Sequence, residues 1–219
     1  NSMGANTTGT LNTAVGSESF ITNTTGGYNT AIGQNSLNAN TTASHNSALG
    51  QSALAANTTG ANNSAIGSGS LDANTTGNFN AALGMSSLGS NTTGSNNTAV
   101  GNDALLNNTT ASWSTAIGNQ TLSTNTTGYH NIAIGHQALY ANTTGISNVA
   151  IGSHALDANT TASNNTAVGY QALTTNTTGT ENISVGAYSM LDNTTGGQNT
   201  ALGESALANN TTASSNTAI

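Results

Sequence analysis

The sequence is built from one unit that repeats every 17 residues. Asn-Thr-Thr begins at position 6 and recurs at that interval up to position 210, thirteen times in all, without insertion or deletion. Numbering its Asn as slot 1, the unit reads N-T-T-[G/A]-x-x-N-[T/S/I/V]-A-[I/L/V]-G-x-x-[A/S]-L-x-x. Loops between independent domains tolerate changes of length. An unbroken period therefore indicates stacked coils, each of which fixes the length of the next.

The composition favours β-coils over helices. Seventeen residues are too few for the helix pairs of helical repeats, and the chain is rich in Asn, Thr, Ser and Gly, which are poor helix formers. A disordered polar linker would have no reason to hold Leu and Gly in phase. We therefore expect an all-β fold, a parallel β-solenoid (β-roll) of 17 residues per coil and about 13 coils. It forms a single repeat array over residues 1–219, interpreted as a segment of a longer, uncapped solenoid.

Alternation along a strand assigns residues to faces, because successive side chains point to opposite sides. Slots 8 and 10 flank slot 9 in segments such as Asn-Thr-Ala-Ile-Gly, and slot 10 is aliphatic in every unit. We expect slots 8 and 10 to point inward, with the Leu of slot 15 closing the core from the opposite wall. The predicted core comprises Val15, Ile32, Leu37, Leu54, Ile66, Leu105, Ile117, Leu139, Leu156 and Leu173.

Two corners of the coil are also predicted. Slot 11 is Gly in all twelve units that reach it, which indicates a corner whose positive φ excludes other residues. Slots 1 to 4 form a second corner, where the Asn amides of successive coils can stack and hydrogen-bond, as in cross-β structures. The predicted corner residues are Gly16, Gly33, Gly50, Gly101, Asn23, Asn40 and Asn57.

Slot 9 is the position that tolerates least variation among those predicted to point outward. It is Ala in every unit except one, which has Ser184. Solvent would accept Thr or Ser there, so the constancy indicates a steric partner, which is either another chain or another part of the same coil. We predict an interface between chains, formed by Ala14, Ala31, Ala48, Ala99 and Ala116.

The segments NTAVG, NTAIG and NIAIG, each followed by xxAL, resemble the head repeats of trimeric autotransporter adhesins. They are also similar to the NTAxG/xxAL/NTTG arrays of phage and viral fibre proteins. The resemblance extends over the whole chain and rests on slots 7 to 15. It implies a left-handed parallel β-roll, three chains packed side by side with slot 9 at the threefold axis, and an adhesive surface. The Asn-Thr-Thr corner makes this unit longer than the usual head repeat.

Several classes of partner conflict with the composition. The chain has no Lys or Arg and a formal net charge of −7, so it lacks the cations that bind nucleic acids and anionic membranes. No apolar run approaches the ~18 residues of a membrane span, and no membrane insertion is expected. Without Cys, there are no disulfides and no thiolate metal ligands.

Neither catalysis nor a metal site is expected. The seven acidic residues lie in variable slots and form no catalytic pair. His45 and His130 share slot 6 but lie five coils apart, about 24 Å at the usual strand spacing. His136 and His154 occupy slots 12 and 13 of neighbouring coils, which we expect to diverge. We therefore predict no enzyme activity, no cofactor and no metal.

Two features leave alternatives open. Every Asn-Thr-Thr is formally an acceptor for N-glycosylation, but these residues also suit a corner ladder, and glycans about 5 Å apart would collide. Slot 6 carries aromatic residues that can form a contact surface or cover a neighbouring chain. The candidates for that surface are Tyr28, Phe79 and Trp113.

These observations predict a structural role for the protein. We expect an extracellular fibre segment with structural and adhesive roles, at a cell surface or on a virion, in which chains lie side by side. Its partners would be copies of itself, as a homotrimer or a filament, and a surface receptor or glycan. The alternative is an ice-binding β-solenoid that uses the Thr columns of slots 2, 3 and 8.

Overall fold

The computed structural model describes residues 2–219 and confirms the predicted fold class. Thirteen parallel strands, roughly 17 residues apart, form an all-β solenoid of about 12 turns, and no helix is present in this range. The strands are β1 Thr13–Val15, β2 Thr30–Ile32, β3 Ser47–Leu49, β4 Ser64–Ile66, β5 Ala81–Leu83, β6 Thr98–Val100, β7 Thr115–Ile117, β8 Ile132–Ile134, β9 Val149–Ile151, β10 Thr166–Val168, β11 Ile183–Val185, β12 Thr200–Leu202 and β13 Thr217–Ala218.

The chain divides into two compact units, the first ending at Ser112 and the second beginning at Trp113. Strands β1 to β6 belong to the first unit and β7 to β13 to the second. Within each unit, consecutive strands pair in parallel with identical slots opposite each other. Ala14 lies opposite Ala31 in the first unit, and Ala133 lies opposite Ala150 in the second. Because the register equals the repeat, every coil places its slots in the same environment as its neighbours.

The expected direction of the strand faces is wrong. Slot 9 points into the coil and slots 8 and 10 point out of it, so four residues predicted as core lie on the outside. Val15 is 57% exposed and Ile66 is 43% exposed, and the other two are similarly placed, whereas Ala65 is fully buried. The four misassigned residues are Val15, Ile32, Ile66 and Ile117.

The predicted interface at slot 9 is wrong for the same reason. Ala31, Ala48, Ala99 and Ala116 are buried within a single chain, and Ala14 is half-buried. The steric partner of this column is the opposite wall of the same coil. In the coil where slot 9 is Ser184, its hydroxyl donates to the carbonyl oxygen of Ser189, in slot 14, at 2.8 Å. That bond shows slot 9 facing slot 14 across the interior.

The interior is thin and is filled mainly by one large side chain per coil. Leu in slot 15 is fully buried, as at Leu37, Leu54, Leu105, Leu139, Leu156 and Leu173. The other buried positions carry Ala, Ser or Thr in slots 9 and 14, Gly or Ala in slot 4, and Asn in slot 1 and in nearly every slot 7. Burying each Leu contributes about 1.5–3 kcal/mol. An Ile or Val in slot 9 would not fit beside it, which is why the aliphatic residues of slot 10 face outward.

Glycine at slot 11 is required by both conformation and space. These glycines have φ between 124° and 140°, a region that residues with a side chain rarely adopt. At Gly50, an added Cβ would also lie 2.5 Å from the carbonyl oxygen of Gly67 in the next coil. Gly16, Gly33 and Gly101 share this geometry. A residue with a side chain at this corner would therefore separate two coils.

The coil also turns at three positions that carry ordinary side chains. Slots 6, 13 and 15 have φ between 47° and 62° throughout residues 2–219, apart from a slightly larger value at Gly69 in slot 13. For most residues with a side chain, this left-handed conformation costs about 1–2 kcal/mol relative to the right-handed one. Each coil therefore stores strain at its corners, and the hydrogen bonds and buried Leu must offset that strain.

Asn side chains in slot 1 form the predicted amide ladder. The Nδ2 group of Asn57 donates to Oδ1 of Asn40 at 3.0 Å, and Asn74 repeats the contact to Asn57 at 2.8 Å. Each Nδ2 also closes its own corner by donating to the slot 4 carbonyl oxygen, for example from Asn57 to Gly60 at 2.9 Å. Asn23, Asn40 and Asn57 are fully buried. Their hydrogen bonds satisfy the backbone of a corner that water does not reach.

A second ladder runs through slot 7. The Oδ1 atom of Asn46 accepts the backbone N–H of Asn63 at 3.0 Å, and the Nδ2 group of Asn46 donates to the carbonyl oxygen of Gly60 at 2.9 Å. These side chains connect one coil to the next just beyond the corner formed by slots 1 to 4. Every buried side-chain nitrogen or oxygen in residues 2–219 has a hydrogen-bond partner, so the interior tolerates many amides.

Candidate functional surfaces

Each unit presents an outward surface on its sheet, which we call the sheet face and define as the side chains of slots 8 and 10. All of these side chains are exposed or half-exposed. Its aliphatic column is Val15, Ile32, Leu49, Ile66, Leu83 and Val100 in the first unit, and Ile117, Ile134, Ile151, Val168, Val185 and Leu202 in the second. None of the seven acidic residues occupies slot 8 or 10. The sheet face therefore carries no charge, and its slot 10 column is apolar in both units.

The slot 8 column differs between the units. In the first unit it is Thr, Ser or Ala at every strand, beginning with Thr13 and Thr30. In the second unit it includes three large aliphatic residues, Ile132, Val149 and Ile183. The sheet face of the second unit is thus the more hydrophobic of the two.

Aromatic and His side chains in slot 6 stack between neighbouring coils. The rings of Tyr28 and His45 lie 4.9 Å apart between centroids and are inclined by 8°. Trp113 and His130 repeat the arrangement at 5.3 Å and 5°. Tyr28, Phe79 and Trp113 are all more than half exposed. The three residues lie on the outside of their coils, as a contact surface requires.

The expected divergence of slots 12 and 13 is wrong. The chain steps by one residue at this corner, so the backbone N–H of slot 13 donates to the slot 12 carbonyl oxygen of the preceding coil. The bond joins His154 to His136 at 3.0 Å and Tyr188 to Tyr170 at 2.9 Å. The ring centroids of the two His side chains lie 5.2 Å apart. Residues 18 apart in sequence therefore meet at this corner.

In the interior Asn-Thr-Thr motifs, the Asn amide groups are used in the hydrogen bonds of the slot 1 ladder. Asn57 is fully buried, and its two amide hydrogens are donated to Asn40 and Gly60. The same arrangement holds at Asn74, Asn91 and Asn159. A glycan on such an Asn would remove one of these donors and would have no path to solvent. The folded coil favours the ladder interpretation of the motif.

Features of other functional classes are few in the described part of the chain. Neither unit has a pocket among its described residues. No helix of residues 2–219 has the length and apolar character that crossing a membrane requires. Within the same residues, no three or more His, Cys, Asp or Glu side chains are grouped so as to hold a metal ion. The surfaces available for function are the sheet face and the corners.

The architecture defines the chain as a β-solenoid repeat protein. Comparison with protein-family models, curated proteins and solved structures gives no match.

Sequence reasoning missed the sheet face and the meeting of slots 12 and 13. For the sheet face a signal was present, because slot 8 exchanges Thr and Ser for Ile and Val from coil to coil. Such mixed tolerance is typical of a surface position and not of a thin core. For the corner no signal was present, since the one-residue step in backbone pairing has no counterpart in the repeat pattern.

Proposed function

We propose that the chain is a non-catalytic segment of an extracellular fibre, with a structural and adhesive role, whose copies associate side by side through the sheet face. The observation that carries the proposal is the uninterrupted aliphatic column of slot 10 on the outside of each unit. Contiguous apolar surface of this kind usually marks an interaction site. The cell surface or a virion is the location that suits such a fibre.

A second copy of the chain is the partner that fits this face best. A partner with charged groups finds no complement on it, because slots 8 and 10 carry no charge and the chain has no Lys or Arg. Another copy also shares the 17-residue coil, so its side-chain rows stay in register from strand to strand. Side-by-side packing of three copies, as the resemblance to adhesin heads implies, would cover these faces together.

The size of the face limits the strength of the association. Seven strands about 4.8 Å apart and three residues wide give roughly 300 Å² on the second unit. Stable complexes bury about 800 Å² per partner, so one unit alone associates weakly. Because the contact repeats with each coil, affinity grows with the number of coils engaged. A repeated array is therefore a suitable material for a fibre.

The test is self-association, measured by analytical ultracentrifugation. In the triple variant Ile132→Thr, Val149→Thr and Ile183→Thr, each new residue is one that slot 8 already carries in other coils, so folding is preserved. We expect wild type to form trimers or longer assemblies and the triple variant to associate at least tenfold more weakly. The control Leu11→Ser removes an exposed apolar residue from slot 6, and it leaves association unchanged. A wild type that stays monomeric up to roughly 1 mM, where binding contributes only about 4 kcal/mol, contradicts the proposal.

Ice binding is the second candidate, and one observation favours it. The slot 8 hydroxyls of Thr13 and Thr30, and those of Thr200 and Thr217, lie on the outer face of the sheet, where neighbouring strands are ~4.8 Å apart and the hydroxyls can order water. The slot 2 hydroxyls are used elsewhere, as in the donation from Thr58 to the carbonyl oxygen of Thr75 at 3.0 Å. Thermal hysteresis of the purified chain separates the candidates, because a fibre segment shows none.

A further inference from the structure

One cluster of ligand-type side chains lies outside the sheet face, at the corner formed by slots 12 and 13 in the second unit. His136 lies two residues after the end of β8, and His154 occupies the next slot of the following coil. Their ring centroids are 5.2 Å apart, with an angle of 75° between the ring planes. His136 is exposed and His154 is half-exposed, so an ion can reach both rings from solvent.

The backbone fixes the two residues side by side. The N–H group of His154 donates to the carbonyl oxygen of His136 at 3.0 Å, which ties the two coils together at this point. His154 also adopts the left-handed conformation, with φ of 58°, and this sets the direction in which its side chain leaves the corner. The pair is therefore held by the fold and does not depend on the side chains for its proximity.

Asp157 orients one of the two rings. Its Oδ2 atom lies 3.1 Å from Nδ1 of His154. In the tautomer that donates from Nδ1 to this carboxyl oxygen, the lone pair of the ring lies on Nε2. A carboxylate that holds a His in this way is the usual partner of a metal-binding imidazole, because it fixes the tautomer and raises the basicity of the other nitrogen.

The spacing of the rings matches that of two imidazoles on one ion. With a metal–nitrogen distance of about 2.0–2.1 Å, and about 1.1 Å from ring nitrogen to ring centre, each centroid lies about 3.2 Å from the metal. At a tetrahedral angle, two such centroids are about 5.2 Å apart. The observed separation of 5.2 Å is that of an ordinary edge-to-face ring contact, and it is also close enough for both imidazoles to share one ion.

We propose that His136 and His154 form a binding site for a divalent transition-metal ion, with Asp157 as the positioning residue. The protein supplies two ligands, and water fills the other positions. Imidazole suits Cu²⁺, Ni²⁺ and Zn²⁺, among which Cu²⁺ binds most tightly to a given set of ligands. With a net charge of −7 and no Lys or Arg, the chain places no cation near the site to oppose the ion.

The test titrates the folded chain with NiCl₂ by isothermal calorimetry. The variants His136→Gln and His154→Gln each introduce a residue that the same slot carries in other coils, such as Gln34 and Gln137. We expect wild type to bind one Ni²⁺ per chain and each variant to bind at least tenfold more weakly. The double control His45→Asn and His130→Asn also uses a residue native to its slot, and it retains wild-type binding.

Two outcomes would overturn the site: a wild-type titration without a saturable phase, or a His136→Gln variant that binds Ni²⁺ as well as wild type. Paramagnetic broadening by Ni²⁺ gives an independent measure, since it should affect the ring protons of His136 and His154 before those of His45 and His130. Asp157→Asn is expected to weaken binding by roughly 10–100-fold and to change its pH dependence, without lowering the melting temperature. An unchanged pH dependence would remove Asp157 from the proposal.

Discussion

The residue in slot 15 has the largest interior side chain of each coil, whereas the residue that follows it, in slot 16, is partly exposed to solvent. Leu105 is fully buried and Leu106 is half-exposed. We expect Leu105→Ala to lower the free energy of unfolding by about 2–5 kcal/mol, since it removes buried surface and leaves a cavity. Leu106→Ala makes the same chemical change with a loss below about 1 kcal/mol. Denaturant unfolding measures both, and equal losses would mean that slot 15 is not the core.

The carboxyl group of Asp72 has a shifted pKa. Burial raises the pKa of Asp72 above its ordinary value of 3.8, and the backbone N–H of Ala73 partly offsets the shift. The folded chain therefore holds this proton more tightly than the unfolded chain. That contribution to stability is complete below pH 3.8 and is lost as the pH rises through the raised pKa.

From this sign we expect Asp72→Asn to be more stable than wild type at pH 7. The advantage should shrink as the pH falls towards 3.8 and the wild-type carboxyl gains its proton. The new amide also has an acceptor, because Asn38 in the same slot donates to the carbonyl oxygen of Glu18 at 3.0 Å. Melting temperatures of both proteins across this pH range provide the measurement. An advantage that does not depend on pH would show that Asp72 is already ionised without penalty.

At the level of single residues, the repeat pattern predicted which slots must keep one kind of residue better than it predicted which way the side chains point. It identified slot 11 because only Gly fits that corner, and slot 15 because that position needs a large apolar side chain, which is Leu in all coils except those with Phe20 and Met190 and the first, incomplete one. It misplaced Val15 and Ile66, because alternation shows which residues share a face but not which face is inside. The missing information was the width of the coil, which admits Ala in slot 9 and not Ile.

Among the structural elements, the slot 1 ladder connects every coil within a unit. Asn74 donates to Asn57 at 2.8 Å and accepts from Asn91 at 2.9 Å, and it also donates to Gly77 at 3.1 Å. Asn74→Ala removes all three bonds. It also leaves one buried hydrogen-bonding group in each of the two neighbouring Asn side chains without this partner, and each such group costs about 1–3 kcal/mol. We expect a total loss of at least about 3 kcal/mol in the free energy of unfolding.

The matched control for the ladder is Thr76→Ala, two residues away in exposed slot 3, which should change stability by less than about 0.5 kcal/mol. Hydrogen exchange adds a local measurement, since the amides of the coils on both sides of residue 74 should lose protection. If Asn74→Ala unfolds at the same denaturant concentration as Thr76→Ala, the ladder does not stabilise the coil.

The elements show where sequence patterns carry structural information. Slot 1 could be predicted as a ladder because an Asn at a constant corner position has few other uses. The slot 7 ladder and the contact of His136 with His154 could not, since they depend on how the backbone of one coil is offset against the next. That offset is a property of three-dimensional packing, and the sequence of a single unit does not encode it visibly.

For the whole molecule, charge and apolar surface have opposite effects on the proposed association. Chains with a net charge of −7 and no positive residue repel one another, while the sheet face attracts. Salt screens the repulsion over about 10 Å at 0.1 M, so we expect self-association to strengthen as NaCl is raised. Sedimentation at low and high salt measures this. An association that salt weakens would contradict this expectation and would exclude the sheet face as its cause.

The direction of the strand faces is the claim on which the core, the sheet face and the proposed function all depend. Its most direct test is denaturant unfolding of Ala150→Gln and Ile151→Gln, which place the same residue at adjacent positions of β9. Ala150 is fully buried and Ile151 is 37% exposed. Ala150→Gln should lose about 3 kcal/mol or more, through overpacking and a buried amide, and Ile151→Gln less than about 1 kcal/mol. The reverse order of losses would place slot 10 inside the coil and contradict the account.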